Sequence, residues 1–108
     1  MERDATRDSP FVCRVSALNE EKKQRRRSLL EQLISTKEEL RELPDGYAFR
    51  FPSGPGMVRD VAEFITYERL CCPFFDFELT VERESGPLWL RLRGREGVKE
   101  FIRSELGV

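Results

Sequence analysis

Tyr67-Glu68-Arg69-Leu70-Cys71-Cys72-Pro73-Phe74-Phe75-Asp76-Phe77-Glu78-Leu79-Thr80-Val81 changes period at Pro73. Upstream of the proline, apolar residues return at helical spacing, in line with Met57, Val61, Phe64 and Ile65. Downstream they alternate, with Phe75, Phe77, Leu79 and Val81 on one face. Proline disfavours helical backbone at the residue before it, so the segment reads as a helix over 57–72 that stops and a strand over 74–81 that begins.

The same reading extends in both directions. Ser53-Gly54-Pro55-Gly56 is a loop, and residues 47–52 form the cleanest strand, with Tyr47, Phe49 and Phe51 facing one way and Ala48 and Arg50 the other. Leu43-Pro44-Asp45-Gly46 is turn chemistry, Pro and Gly each supplying a backbone angle. A helix opens at the N-cap Asn19, with Glu20 and Glu21 in its first turn, and runs to about Leu40 on the spacing of Leu29, Leu30, Leu33, Ile34 and Leu40. Phe11, Cys13, Val15 and Ala17 alternate with their neighbours, which predicts a first strand over 11–18. Towards the C-terminus, Leu88, Leu90 and Leu92 predict a strand that forms a hairpin with 74–81 through a loop over 82–87. A last helix over 97–106 buries Val98, Phe101, Ile102 and Leu106.

The expected class is therefore α+β: a two-layer sandwich in the order β-α-β-α-β-β-α, with a four-stranded mixed sheet and three helices. The 108 residues suit one domain over 11–108, preceded by a polar, disordered tail over 1–10. Eight Phe, two Tyr and one Trp are enough large side chains for one core.

Nineteen basic and twenty acidic residues leave a net charge of -1, so no overall field draws in nucleic acid or an anionic membrane. No apolar run is long enough to cross a bilayer, and the charged start Met1-Glu2-Arg3-Asp4 is not a signal peptide. The expected location is the cytoplasm, with three reduced cysteines. Histidine is absent, which excludes Cys-His and Ser-His catalysis, Cys₂His₂ zinc sites and the two-histidine iron site.

On a wheel of about 100° per residue, Glu68 falls inside the apolar stripe of the second helix, three residues before Cys71 and four before Cys72. A carboxylate there needs compensation, because its desolvation is costly. A salt bridge to Arg14, Arg50 or Arg91 would supply it; so would a metal ion or a neighbouring thiol, and exposure at the helix end would remove the need. The cysteines admit the same choice. Cys13 alone on a strand is by default a small core side chain. A thiolate is disfavoured at a helix C-terminus unless a cation compensates it, which argues against a metal-free nucleophile at Cys71 or Cys72. Three thiols without imidazole suit a soft ion, and Cys13, Cys71 and Cys72 could form a trigonal site with Glu68 as a further ligand or charge partner.

The segment from Tyr67 to Glu78 resembles the signature Glu-Arg-x-Cys-Cys-Pro-Phe of a widespread family of small, uncharacterised bacterial proteins. Cys13, Leu43-Pro44-Asp45-Gly46-Tyr47, Gly86-Pro87-Leu88-Trp89-Leu90-Arg91 and Gly97-Val98-Lys99-Glu100-Phe101 extend the similarity over about residues 11 to 104. The resemblance implies that Cys13, Glu68, Cys71 and Cys72 belong together; it supplies no activity.

Lys22-Lys23-Gln24-Arg25-Arg26-Arg27 could contact phosphates, but a solvated helix start with an i,i+4 pair between Glu21 and Arg25 is favoured. Gly54-Pro55-Gly56 lacks the Lys-Ser/Thr ending of a phosphate loop, and Trp89 is expected to pack a helix or sit at a protein interface. The leading expectation is a binding protein rather than an enzyme, holding a soft metal or metalloid ion, such as zinc, copper(I) or mercury(II), through Cys13, Cys71, Cys72 and Glu68. The alternatives are a structural or protein-interaction domain with core cysteines, and a cysteine redox sensor.

Overall fold

A computed structural model describes residues 14–108. The expected tail over 1–10, and the part of the expected first strand over 11–13, lie outside the described residues. Val15–Ala17 is a single 3-10 turn rather than strand. Ala17 closes that turn by donating its N–H to the Arg14 carbonyl, and Leu18 turns into the core.

Helix α1 spans Glu20–Thr36, and its N-cap is as expected: Asn19 Oδ1 accepts from the Lys22 N–H at 2.8 Å. It ends four residues before the expected Leu40. Ser35 and Thr36 both turn their hydroxyls back onto the Gln32 carbonyl, a local bond that competes with the helix ladder. The chain then leaves the helix at Lys37 and becomes strand β1, Glu39–Leu43.

β1 pairs with strand β2, Gly46–Phe51, across Pro44-Asp45. Gly46 is needed here for space and not, as expected, for its backbone angle. A Cβ at this position would lie 1.8 Å from the Leu92 carbonyl oxygen on the neighbouring strand. Helix α2, Pro55–Cys71, starts with Pro55 in its first turn, where the missing N–H costs nothing. Strand β3 is Asp76–Val81, strand β4 is Leu88–Arg93 and helix α3 is Val98–Leu106. Phe74 and Phe75 precede β3 and pack edge-on against Phe101 of α3.

The described residues thus contain three helices and a four-stranded sheet, an α+β chain whose elements from Gly46 onward follow the expected β-α-β-β-α. The sheet is not mixed. Its order is β1-β2-β4-β3, and every neighbouring pair is antiparallel. The reason lies in β4, which runs antiparallel to both β2 and β3 and sits between them, so the two strands joined through α2 point the same way without touching. The fourth strand comes from the hairpin partner 39–43, which must also be antiparallel.

Tyr47, Phe49 and Phe51 of β2 stand opposite Leu92, Leu90 and Leu88 of β4. These six join Leu29 and Leu33 of α1, Val61, Phe64 and Cys71 of α2, and Val98 and Ile102 of α3 in one buried cluster. Among the described residues, no helix is long and apolar enough to cross a membrane.

Candidate functional site

The buried stripe of α2 is Val61, Phe64, Glu68 and Cys71, spaced by three, four and three residues. Glu68 is the one charged residue in it, and it is 1% exposed. The helix stops where Pro73 requires it to. Cys72 takes extended backbone (φ -126°, ψ 72°), and its N–H still caps the Glu68 carbonyl at 2.7 Å. Cys71 and Cys72 both carry thiols that are 0% exposed, packed in the hydrophobic cluster.

Glu68 is compensated by Arg26, whose Nε donates to Glu68 Oε1 at 2.8 Å. The guanidinium is itself largely covered, its side chain being 13% exposed. The expected partners lie elsewhere. Arg50 faces Glu38 and Glu39, and Arg91 donates to Thr80 Oγ1. Arg14 contributes only its backbone, donating its N–H to the Cys71 carbonyl at 2.6 Å.

Arg26 comes from the basic run of α1, and that run is not only a solvated face. Arg25 makes a two-pronged contact with Glu63 of α2, Nε to Oε2 and Nη2 to Oε1, each at 2.9 Å. Tyr67 donates its hydroxyl to Glu63 Oε2 at 2.8 Å, and Gln32 Nε2 donates to Asp60 Oδ2 at 2.8 Å. The expected Glu21–Arg25 pair gives way to this interhelical latch. The Arg25 hydrogen bond, followed by that of Tyr67, holds the Glu63 carboxyl below its ordinary value. The Glu63 bond raises the Tyr67 phenol in turn.

Cys13 lies outside the described residues, so its distance from Cys71 and Cys72 is not part of this geometry. Among the described residues, no group of three or more Cys, Asp or Glu side chains is placed to hold a metal ion. Glu68 shares the helix end with the paired cysteines, and its Oε1 is bonded to Arg26.

Sequence reasoning did not pair Arg26 with Glu68 or Arg25 with Glu63. One signal was present: adjacent arginines in the first helix, and carboxylates five residues apart in the second. Trp89 is covered by arginine rather than by a helix. Arg41 of β1 lies 4.7 Å from the ring centroid and Arg91 5.8 Å, on the sheet face away from Leu88 and Leu90.

No protein-family model matches the chain, and neither the curated proteins nor the solved structures contain a match.

Proposed function

We propose that the chain is a cytoplasmic binding protein for a soft metal or metalloid ion, held by the sulfurs of Cys13, Cys71 and Cys72. The observation that carries this reading is the bond from the Arg14 N–H to the Cys71 carbonyl. The bond ties the first described residue, Arg14, to the end of the helix that bears Cys71 and Cys72, and Cys13 itself lies outside the described residues. Sulfur donors without imidazole select thiophilic ions such as zinc, copper(I) and mercury(II). Glu68 serves in this reading as the charge partner of Arg26 and not as a ligand. We also take the arrangement as two-layered, since the buried residues of all three helices share a cluster with one sheet face.

The experiment is alkylation of the thiols with and without one equivalent of each ion, together with a melting curve. Bound ion should protect the thiols and, at a hundredfold excess over Kd, raise Tm by about 10 °C. Cys71→Ala with Cys72→Ala should abolish both effects. A second reading, a structural domain with core-filling cysteines, is favoured by the complete burial of Cys71 and Cys72. It predicts slow alkylation whether or not an ion is present. Fast oxidation to a defined bridge would instead indicate a redox role.

A further inference from the structure

We propose that two copies of this chain pair through the open edge of β3. The two strands run antiparallel about a two-fold axis at Leu79 and join both sheets into one. The inference goes beyond the thiol site and does not depend on it.

The core ends abruptly at this edge. Phe77, Leu79 and Val81 of β3 stand opposite Leu92, Leu90 and Leu88 of β4. The three leucines are buried, whereas Phe77 and Leu79 are only half-buried and Val81 is 53% exposed. One strand's width thus separates a sealed apolar column from an open one. Beside it, Ile65 and Arg69 of α2 and Phe75, Asp76 and Phe77 line an open groove between helix and strand. Among the described residues, β3 has β4 on one side and no strand on the other. Such an edge is a template for pairing with another chain.

The opposite edge of the sheet is built differently. On its inner face β1 places Leu40 and Glu42, opposite Phe49 and Tyr47. Glu42 is bonded to Lys99 of α3, so a charged pair interrupts the apolar face there. Charge on the inner side of an edge strand guards against pairing. The inner face of β3 has no such guard, because its carboxylates, Asp76 and Glu78, lie on the outer face with Thr80.

The β3 sequence suits a second copy of itself and fixes the register. An axis at Glu78 would set two carboxylates face to face, and an axis at Phe77 would set Asp76 against Glu78; both are unfavourable. An axis at Thr80 would set Glu78 against Glu82 and leave only residues 79–81 in the ladder. At Leu79, residues 77–81 of each copy pair: Phe77 with Val81, Glu78 with Thr80, and Leu79 with Leu79. Asp76 and Glu82 fall outside that ladder. Glu78 brings no unbalanced charge, since Arg93 Nη2 lies 3.7 Å from its Oε1. Each exposed Val81 gains the Phe77 ring of the other copy as its cover.

The assembly also closes. Its sheet runs β1-β2-β4-β3-β3-β4-β2-β1, so both outer edges are guarded β1 strands and pairing stops at two copies. A short strand edge and a narrow groove bury less than the roughly 1,600 Å² of a standard interface. The expected Kd is therefore on the order of 10 µM.

The test is sedimentation equilibrium of the full chain under reductant, from about 1 µM to about 500 µM. The mass should rise from one chain to two and no further, and amide exchange at residues 77–81 should slow over the same range. Val81→Lys alters a side chain already largely in solvent, so the fold is kept, and it should weaken dimerisation at least about tenfold. Leu40→Lys, on the guarded edge, should leave dimerisation unchanged. Leu79→Cys should link to its own copy on mild oxidation, while Thr80→Cys, which faces Glu78, should not. A chain that stays monomeric at about 500 µM overturns the inference. Protected amides at 77–81 in that monomer would mean that another part of the same chain occupies the edge. Dimerisation that survives Val81→Lys but is lost in Leu40→Lys would overturn it as well, by assigning the contact to β1.

Discussion

Two odd side chains in this molecule are each met by an arginine, with opposite consequences. Glu68 is a carboxylate inside the core, and Arg26 reaches it with only 13% of its side chain exposed. Trp89 is an indole on the outer sheet face, and the Arg41 laid over it keeps 61% of its side chain in solvent. In the first place arginine supplies the charge without which the fold would bury an anion alone. In the second it shields an apolar ring from water while its own charge stays hydrated. Equal contact distances would hide this difference; burial reveals it.

Breaking the inner contact should have the largest effect. Arg26→Met strands the carboxylate and should cost about 3–5 kcal/mol, seen as a lower denaturant midpoint. Adding Glu68→Leu should restore most of that loss, because two apolar side chains replace both partners at once. A single variant as stable as the parent would erase the contrast. Arg41→Ala removes the outer stacking together with an exposed ion pair to Glu39 and should cost about 0.5–1 kcal/mol.

The smallest effect concerns the exposed latch between α1 and α2. The Glu63 carboxyl is held below its ordinary value by Arg25 and then Tyr67. Its contribution is therefore fully present above the ordinary carboxylate value, about 4.3, and is lost as pH falls through the lower folded value. Melting curves of the parent and of Glu63→Gln should differ slightly near neutrality and converge in acid. Added salt should narrow the neutral difference, as expected of an exposed pair.

Legibility in the sequence followed the range of the interaction. Pro73 marks the end of α2 because its effect acts on the adjacent residue. Tyr47, Phe49 and Phe51 declared β2 because alternation is local, and the out-of-place Glu68 was visible on the wheel for the same reason. Leu40 kept helical register with Leu33, yet it belongs to β1 opposite Phe49, a pairing decided across the hairpin. Residues 14–18 failed differently: a short alternation there also fits a 3-10 turn followed by the buried Leu18. The partner of Glu68 stands 42 positions away on another helix. No local rule distinguishes Arg26 from Arg14, Arg50 or Arg91, since only the packing of α1 on α2 does so.

The sheet order bears on how the chain is made. Of the four strands in this sheet, β4 is made last, and it takes an inner place between β2 and β3. Until Leu88–Arg93 emerges, β3 has no neighbour and the hairpin of β1 and β2 exposes one open flank. The nascent chain therefore cannot assemble its sheet stepwise from one side. It must hold a gap into which β4 inserts, and a chain truncated before Leu88 should expose two further strand edges, those of β2 and β3, prone to aggregation.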